Sequence, residues 1–410
     1  MKCRHCCKEL IHTFIDLGSS PPSNCYLTAQ TMKEPEKWFP LKVLVCDSCW
    51  LVQTEDIVGA SEMFSDEYAY FSSYSSTWLS HARNYVESMA IRFNLNSDSM
   101  VAEIAANDGY LLQYVKFKNI PCYGIEPTHS TATAARKKGI EIVEEFFGEE
   151  KAIDLVGQGR QADLIVANNV LAHVPDINDF VKGFSILLKL NGVATFEFPH
   201  LMNIVKQNQF DTIYHEHYSY LSLTTVCVIF ESNGLKVYDV EEIPTHGGSL
   251  RVYAQRADIN QHSESENLKA LLEYEKDEGI HALPFYAGLQ SQVNRIEAKL
   301  LTFLLETKKQ GKKVVAYGAA AKGNTLLNYA GVRQELLSYV VDRNPAKQGK
   351  YMPGSRLPIV DENRLKLDKP DYVLILPWNL TSEITAQLSY INEWGGSFVK
   401  AIPDFEVLSK

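Results

Sequence analysis

Between residues 213 and 220 the chain reads Ile213-Tyr214-His215-Glu216-His217-Tyr218-Ser219-Tyr220, concentrating imidazole, carboxyl and phenol groups in one short segment between apolar stretches. A histidine titrates near working pH and suits a general base, and a tyrosine hydroxyl can donate to a developing oxyanion. Together they fit removal of a weakly acidic proton beside a carbonyl, with the enolate oxygen held by the hydroxyl. His-x-His could also ligate a metal, but the segment brings no third ligand. A merely solvated loop would not need this density of reactive groups. Asp211 precedes the segment and a helical stretch follows it, so the residues are expected on a loop over the ligand edge of a sheet.

Cys3-Arg4-His5-Cys6 and Cys46-Asp47-Ser48-Cys49 form two Cys-x-x-Cys knuckles. Each can present two thiolates to one ion, and four thiolates make the closed tetrahedral set of structural zinc. His5 and Cys7 compete for a ligand position. With Cys3, Cys6, Cys46 and Cys49 available no coordination position is left open, so the expected Zn2+ is structural.

Three further groups of residues sit where predicted strands end. Glu103-Ile104-Ala105-Ala106-Asn107-Asp108-Gly109-Tyr110 places an acidic residue inside a strand, followed by a tight turn of small residues. Gly124-Ile125-Glu126-Pro127 ends in a carboxylate suited to both hydroxyls of a ribose, and Ala167-Asn168-Asn169-Val170-Leu171-Ala172-His173 closes a third strand. In an open parallel sheet ligands sit beyond these carboxyl ends. A carboxylate at the spacing of Glu126 also suits a dinucleotide, but the turn lacks Gly-x-Gly-x-x-Gly. A nucleoside-type cofactor is the better match.

The elements that must position these groups alternate along the chain. A helix is predicted around 78–93, then strands at 100–106, 120–126 and 140–143 with a helix over 130–138. A strand at 162–167, a helix around 179–190 and a strand at 192–198 come next, and the pair 235–240 and 249–255 closes the sheet. Residues 259–309 read as helical. A second α/β unit opens at Lys313-Val314-Val315-Ala316-Tyr317-Gly318 and continues through strands at 337–342 and 372–376. The organisation expected is α/β in three modules: a zinc-binding module at 1–66, a Rossmann-like domain at 67–256 and a second Rossmann-like domain at 257–410. The 410 residues are 45% hydrophobic and 22% charged, with a net charge of −10. That balance speaks against nucleic-acid or anionic-membrane partners. The start has no signal-peptide core and no apolar run is long enough to span a bilayer, so a cytoplasmic protein with reduced cysteines is expected.

The order of these strand ends resembles class I S-adenosylmethionine methyltransferases. The knuckles, Glu-Ile-x-x-Asn-Asp-Gly and Tyr-His-Glu-His-Tyr-Ser-Tyr resemble, more narrowly and over essentially the whole chain, the zinc-containing C-methyltransferases of deoxysugar biosynthesis. Those enzymes act on nucleotide-linked 4-keto sugars, and the resemblance implies methylation at C3 of a TDP-, CDP-, GDP- or UDP-linked sugar. It implies that Glu103, Asn107 and Gly109 frame the methionine end of S-adenosylmethionine, with Asn168 and Asn169 at the neighbouring strand end. Glu126 would hold the ribose, and Phe146 or Phe147 would line the adenine pocket. His217 would be the base, Tyr214 would hydrogen-bond the substrate oxygen, Glu216 would position base or sugar, and His173 and Tyr70 would close the pocket. His215 stays outside the chemistry, since the family tolerates other residues there. Ala105 departs from the pattern, because the family usually has glycine at that place.

In the second α/β unit, Tyr317-Gly318-Ala319-Ala320-Ala321-Lys322-Gly323-Asn324-Thr325 brings small residues to a helix N-terminus, an anion-binding arrangement to which Lys322 adds charge. Taken alone this could be a sheet edge without a ligand; the resemblance implies that it holds the nucleotide of the substrate, with Asn324, with Asp342 at the next strand end and with His246 near the junction. Competing readings are a sugar O- or N-methyltransferase, which needs no enolate-forming base, and an NAD-dependent sugar-nucleotide oxidoreductase, against which the missing glycine fingerprint counts in both units. A non-catalytic sugar-nucleotide binder would leave Tyr214, Glu216 and His217 idle.

Overall fold

The computed structural model describes residues 1–55 and 71–408. Tyr70 and the expected boundary at 66/67 lie outside the described residues.

Three sheets form among the described residues, and their strands are numbered in chain order. The first is antiparallel, in the order β1 (His12–Ser20), β2 (Phe39–Val45), β3 (Val52–Thr54), β9 (Ser219–Tyr220). Ser19 and Ser20, turn-favouring residue types just before Pro21-Pro22, instead end β1, where they pair with Pro40 and Phe39. The short β9 was not foreseen: it follows the Tyr-His-Glu-His segment directly and joins it to the cysteine module.

The second sheet runs β10 (Leu235–Ile243), β11 (Ser249–Arg256), β8 (Leu188–Pro199), β7 (Ala162–Asn168), β4 (Val101–Ile104), β5 (Cys122–Ile125), β6 (Glu141–Val143). β4 to β8 are mutually parallel and β11 runs antiparallel to β8, so the order is that of a class I methyltransferase domain. Chain order reverses between β4 and β7, which makes their carboxyl ends the topological switch point where such sheets take ligands. β7 is nearly continuous apolar sequence because both its faces are covered. The helix Ile177–Leu187 packs Phe180 and Phe184 against the sheet, with Phe184 4.6 Å from Phe196 and Phe196 4.7 Å from Phe230. It starts where the Asp176 carboxylate accepts the amide of Asp179 at 3.0 Å, satisfying one otherwise unpaired N–H of its first turn.

The third sheet has the order β14 (Ile359–Val360), β13 (Val340–Val341), β12 (Val314–Tyr317), β15 (Tyr372–Ile375), β16 (Ser397–Lys400), β17 (Glu406–Val407), parallel except for β17. The strand expected at 337–342 contracts to Val340–Val341. Its switch point lies between β12 and β15, so the loops after Tyr317 and after Ile375 face each other. A methyl group on Gly318, at φ +93°, would fall 2.4 Å from Cδ of Pro377, which is why the loop has glycine there. Helices Glu266–Asp277 and Leu289–Lys309 bridge the second and third sheets. No described helix is long and apolar enough to cross a membrane.

Candidate active site

The knuckles fold as a matched pair. In each, the first cysteine amide donates to the carbonyl five residues on (Cys3 to Lys8, 2.7 Å; Cys46 to Leu51, 3.0 Å), and its carbonyl accepts the amide four residues on (Cys7, 2.9 Å; Trp50, 3.0 Å). Cys7 and Trp50 both take the left-handed conformation, at φ +61° and +60°. The sulfurs of Cys3, Cys6, Cys46 and Cys49 all lie within 4.8 Å of one another, which accommodates the tetrahedral edge of about 3.8 Å implied by zinc–sulfur bonds of about 2.3 Å. Neither competing ligand takes part: Cys7 is exposed, and His5 Nδ1 pairs with Asn178 Oδ1 at 2.8 Å.

At the switch point of the second sheet, the turn after β4 alternates through left-handed residues: Ala105 at φ +58°, Asn107 at +48° and Gly109 at +72°. Ala105 thus stands in a conformation that favours glycine. Gly109 suits its φ of +72°, and a Cβ there would press on the Cδ1 methyl of Ile140. Glu126 is buried, and its carboxylate accepts the amides of Asn107 (2.9 Å) and Thr128 (3.0 Å) and the hydroxyl of Thr131 (3.0 Å), so it ties the ends of β4 and β5 together. Burial raises the pKa of Glu126 and pushes that of Glu103 well up. Oε2 of Glu103, Oδ1 of Asp108 and both polar side-chain atoms of Asn168 and of Asn169 find no hydrogen-bond partner among the described residues. Buried polar atoms are seldom left so, and the donor and acceptor chemistry of this cluster at the switch point fits the polar groups of S-adenosylmethionine. Phe147 packs edge-on against Phe180 and Phe184, at 5.8 and 5.2 Å, while Phe146 is exposed.

His217 lines a pocket with Ala172, Phe198, Thr212, Ser219 and Tyr220, between the first and second sheets. Its Nδ1 sits 2.7 Å from the carbonyl of Thr212, which requires that nitrogen to carry the proton, and its Nε2 then accepts from the hydroxyl of Tyr214 at 2.7 Å. His173 stands edge-on to the His217 ring, with centroids 4.6 Å apart. Burial holds His217 well below the usual imidazole range, reinforced by His173, and brings His173 down to about 4. Both are therefore neutral near pH 7. Glu216 is buried; its Oε1 accepts from the amide and the side chain of Asn24 (3.3 and 3.2 Å), Oε2 has no partner among the described residues, and burial raises its pKa.

The third sheet covers this pocket. The helix Ala321–Tyr329 lies against the turn Phe210–Thr212, and Thr325 Oγ1 donates to the carbonyl of Ile213 at 2.7 Å. Asn324, fully buried, donates to the carbonyl of Ser23, and its Oδ1 has no partner among the described residues. Lys322 Nζ reaches the carbonyl of His246 at 3.3 Å and lies 4.9 Å from the Trp378 ring centroid; burial lowers its pKa against the opposing pull of Asp211. Asp211 accepts from Trp378 Nε1 at 2.8 Å, and burial raises its carboxyl to about 6. His246 is held near 4 by burial and by Lys322. Asp342 is occupied locally: its oxygens accept the amides of Ala319 and Asn344, both at 2.8 Å. The fold thus brings His217, Tyr214, Glu216 and His173 together, with Asn324, Lys322 and His246 beside them. Sequence reasoning missed Thr212, Asn24 and Trp378. No spacing signal could have found Asn24, which meets Glu216 across 192 residues, although Asp211 stood next to the reactive segment.

Family models match in three consecutive pieces: a zinc binding domain at 3–64, a methyltransferase domain at 79–240 and a C-methyltransferase C-terminal domain at 244–403. The C-methyltransferase NovU of Streptomyces niveus is 32% identical over 408 residues, covering 100% of this chain and 97% of the relative. The chain belongs to the C-methyltransferase family. It is an enzyme that takes its methyl group from S-adenosylmethionine and has an N-terminal zinc-binding module in which Cys3, Cys6, Cys46 and Cys49 cluster. Membership sets aside the oxidoreductase, the O- or N-methylating and the non-catalytic readings. Similar solved structures include magnesium protoporphyrin IX methyltransferase from Synechocystis PCC 6803 (14% identity, 43% of this chain and 83% of that one, TM-score 0.35). Another is an S-adenosylmethionine-dependent methyltransferase from Clostridium acetobutylicum (12%, 42% and 90%, TM-score 0.34).

Proposed function

We propose that this C-methyltransferase methylates C3 of a nucleotide-linked 4-keto sugar through an enolate formed by His217. The observation that carries the reading is the neutral, tautomer-fixed imidazole of His217, with Nδ1–H donated to Thr212 and Nε2 facing the Tyr214 hydroxyl. A ketone acidifies the carbons beside it, C3 and C5 for a 4-keto group, and the family resemblance assigns C3. In this reading Nε2 takes the C3 proton and the Tyr214 hydroxyl turns from Nε2 to the carbonyl oxygen, donating to the enolate as it forms. The Thr212 carbonyl stabilises the imidazolium through Nδ1–H. S-adenosylmethionine, when bound, supplies the electrophilic methyl group. Glu103, Asn107, Asn168 and Asn169 would hold its methionine end, Glu126 its ribose and Phe146 or Phe147 its adenine. His173 would exclude water behind the base, with Tyr70 expected alongside it. The free oxygens of Glu216 and Asn324 suit sugar hydroxyls, and Lys322, on the wall formed by Trp378 and His246, suits the diphosphate. Asp342 would act by holding the Ala319 turn.

The test is incubation of the enzyme with S-adenosylmethionine and a panel of TDP-, CDP-, GDP- and UDP-linked 4-keto sugars, with mass detection. A gain of one methylene unit on one nucleotide class is expected, and solvent deuterium should enter C3 of that sugar when S-adenosylmethionine is omitted. His217→Ala should abolish the exchange. Methylation of a substrate without a ketone, or exchange that survives in His217→Ala, would overturn the reading.

A further inference from the structure

We propose that Gln53 and Thr54 are positioning residues that couple the zinc knuckle to the ring of His217. Gln53 is completely buried, a costly place for a primary amide unless its polar atoms are paired. Its Oε1 accepts the amide of Arg4 inside the first knuckle at 2.9 Å, and its Nε2 donates to Sγ of the ligand Cys3 and to the Leu51 carbonyl, both at 3.3 Å. The side chain therefore binds to the metal set itself. Its backbone belongs to β3, which pairs with β9 through Val52 opposite Tyr220 and Gln53 opposite Ser219. The next residue completes the link: Thr54 Oγ1 donates to the carbonyl of His217 at 3.2 Å, and Thr54 N to the carbonyl of Tyr218 at 3.1 Å.

Arg4, between the first two zinc ligands, braces the same strand. Its guanidinium donates to the Thr54 carbonyl at 2.8 Å and to the Pro175 carbonyl at 3.0 Å, and covers the Tyr218 ring at 5.2 Å. From Cys3 to His217 the path is a side-chain amide, one residue of strand and one hydroxyl. Outer partners of metal ligands orient the ligands; here the orientation also runs outward, and the placement of the knuckle sets the placement of the imidazole. A base displaced by about 1 Å can lose on the order of a hundredfold in rate, so the zinc module acts on the chemistry without touching substrate.

The kinetic part of the test rests on His217 being the base; the spectroscopic part does not. Histidine-labelled, zinc-loaded enzyme is examined by nitrogen NMR, with the His217 ring assigned from its loss in His217→Asn, and the protein is also prepared with cobalt in place of zinc. Thr54→Val should move the His217 ring resonances and lower kcat about tenfold, with KM for S-adenosylmethionine unchanged, and Thr54→Ser should restore both. Gln53→Met should move those resonances and also the thiolate-to-cobalt charge-transfer band, which Thr54→Val leaves in place. Resonances that move while kcat stays constant would support the coupling and sink the assignment of His217 as base. Unshifted His217 resonances in Thr54→Val would overturn the coupling, whether or not Gln53→Met yields folded protein.

Discussion

Under the proposed function His217 is the base, its two ring contacts fix its tautomer, and its pH behaviour follows from its burial. A depressed pKa keeps the imidazole neutral well below the ordinary histidine value near 6.5. The acid limb of kcat/KM should therefore fall below pH 6, and a limb at 6.5 would show that another group or a solvated ring does the work. His173 gives the matching stability test. Its folded pKa is about 4, so the unfolded chain protonates first as pH falls, and the stability tied to the neutral ring is present above about 6.5 and lost towards 4. The difference in Tm between wild type and His173→Gln should accordingly narrow between pH 7 and pH 5. Ala105 offers a conformational test. At φ +58° a left-handed alanine costs about 1 kcal/mol, so Ala105→Gly should be neutral or stabilising by up to about that amount, against the usual loss when glycine enters a loop. Ala105→Val, β-branched in the same conformation, should cost about 2 kcal/mol or more by thermal melts.

At the scale of elements, the cysteine module depends on one ion and one borrowed strand. Cys46→Ser should abolish stoichiometric zinc and lower Tm by more than about 5 °C, because the pairing of β2 with β3 begins at the second knuckle. Retention of zinc with an unchanged Tm would exclude the four-sulfur site. The knuckles and the β4, β5 and β7 ends were readable in the sequence because their signal is local: a ligand spacing, a run of apolar residues, a carboxylate at a turn. The alternation of helix and strand from 78 to 256 was readable for the same reason. β9 was not, since two residues carry no periodicity and their strand character comes only from pairing with Val52 and Gln53. Ser19 and Ser20 misled because their composition reads as turn while β2 supplies their hydrogen bonds. Asn24 and Trp378 were invisible because each serves the site from another sheet.

At the scale of the whole molecule, groups carried by all three sheets converge on the segment 211–217: Asn24 on Glu216, His173 on His217, and Trp378 on Asp211, with Lys322 against the Trp378 ring. Trp378→Phe removes the indole donor to Oδ2 of buried Asp211, at a cost of about 1–3 kcal/mol. Under the proposed function it should also weaken nucleoside-diphosphate binding by titration calorimetry while leaving S-adenosylmethionine affinity unchanged. Equal loss of both ligands would mean that the third sheet supports the fold alone. The pairing of β3 with β9 has a further consequence during synthesis. Val52 leaves the ribosome long before its partner Tyr220 exists, and at typical elongation rates the delay is roughly ten to thirty seconds. Through that interval the nascent cysteine module offers β3 as an open edge, with Gln53 lacking its cross-strand neighbour. Zinc cannot cover that edge before β9 is made, so the sequence distance between β3 and β9 sets how long the module stays open to edge-to-edge aggregation during translation.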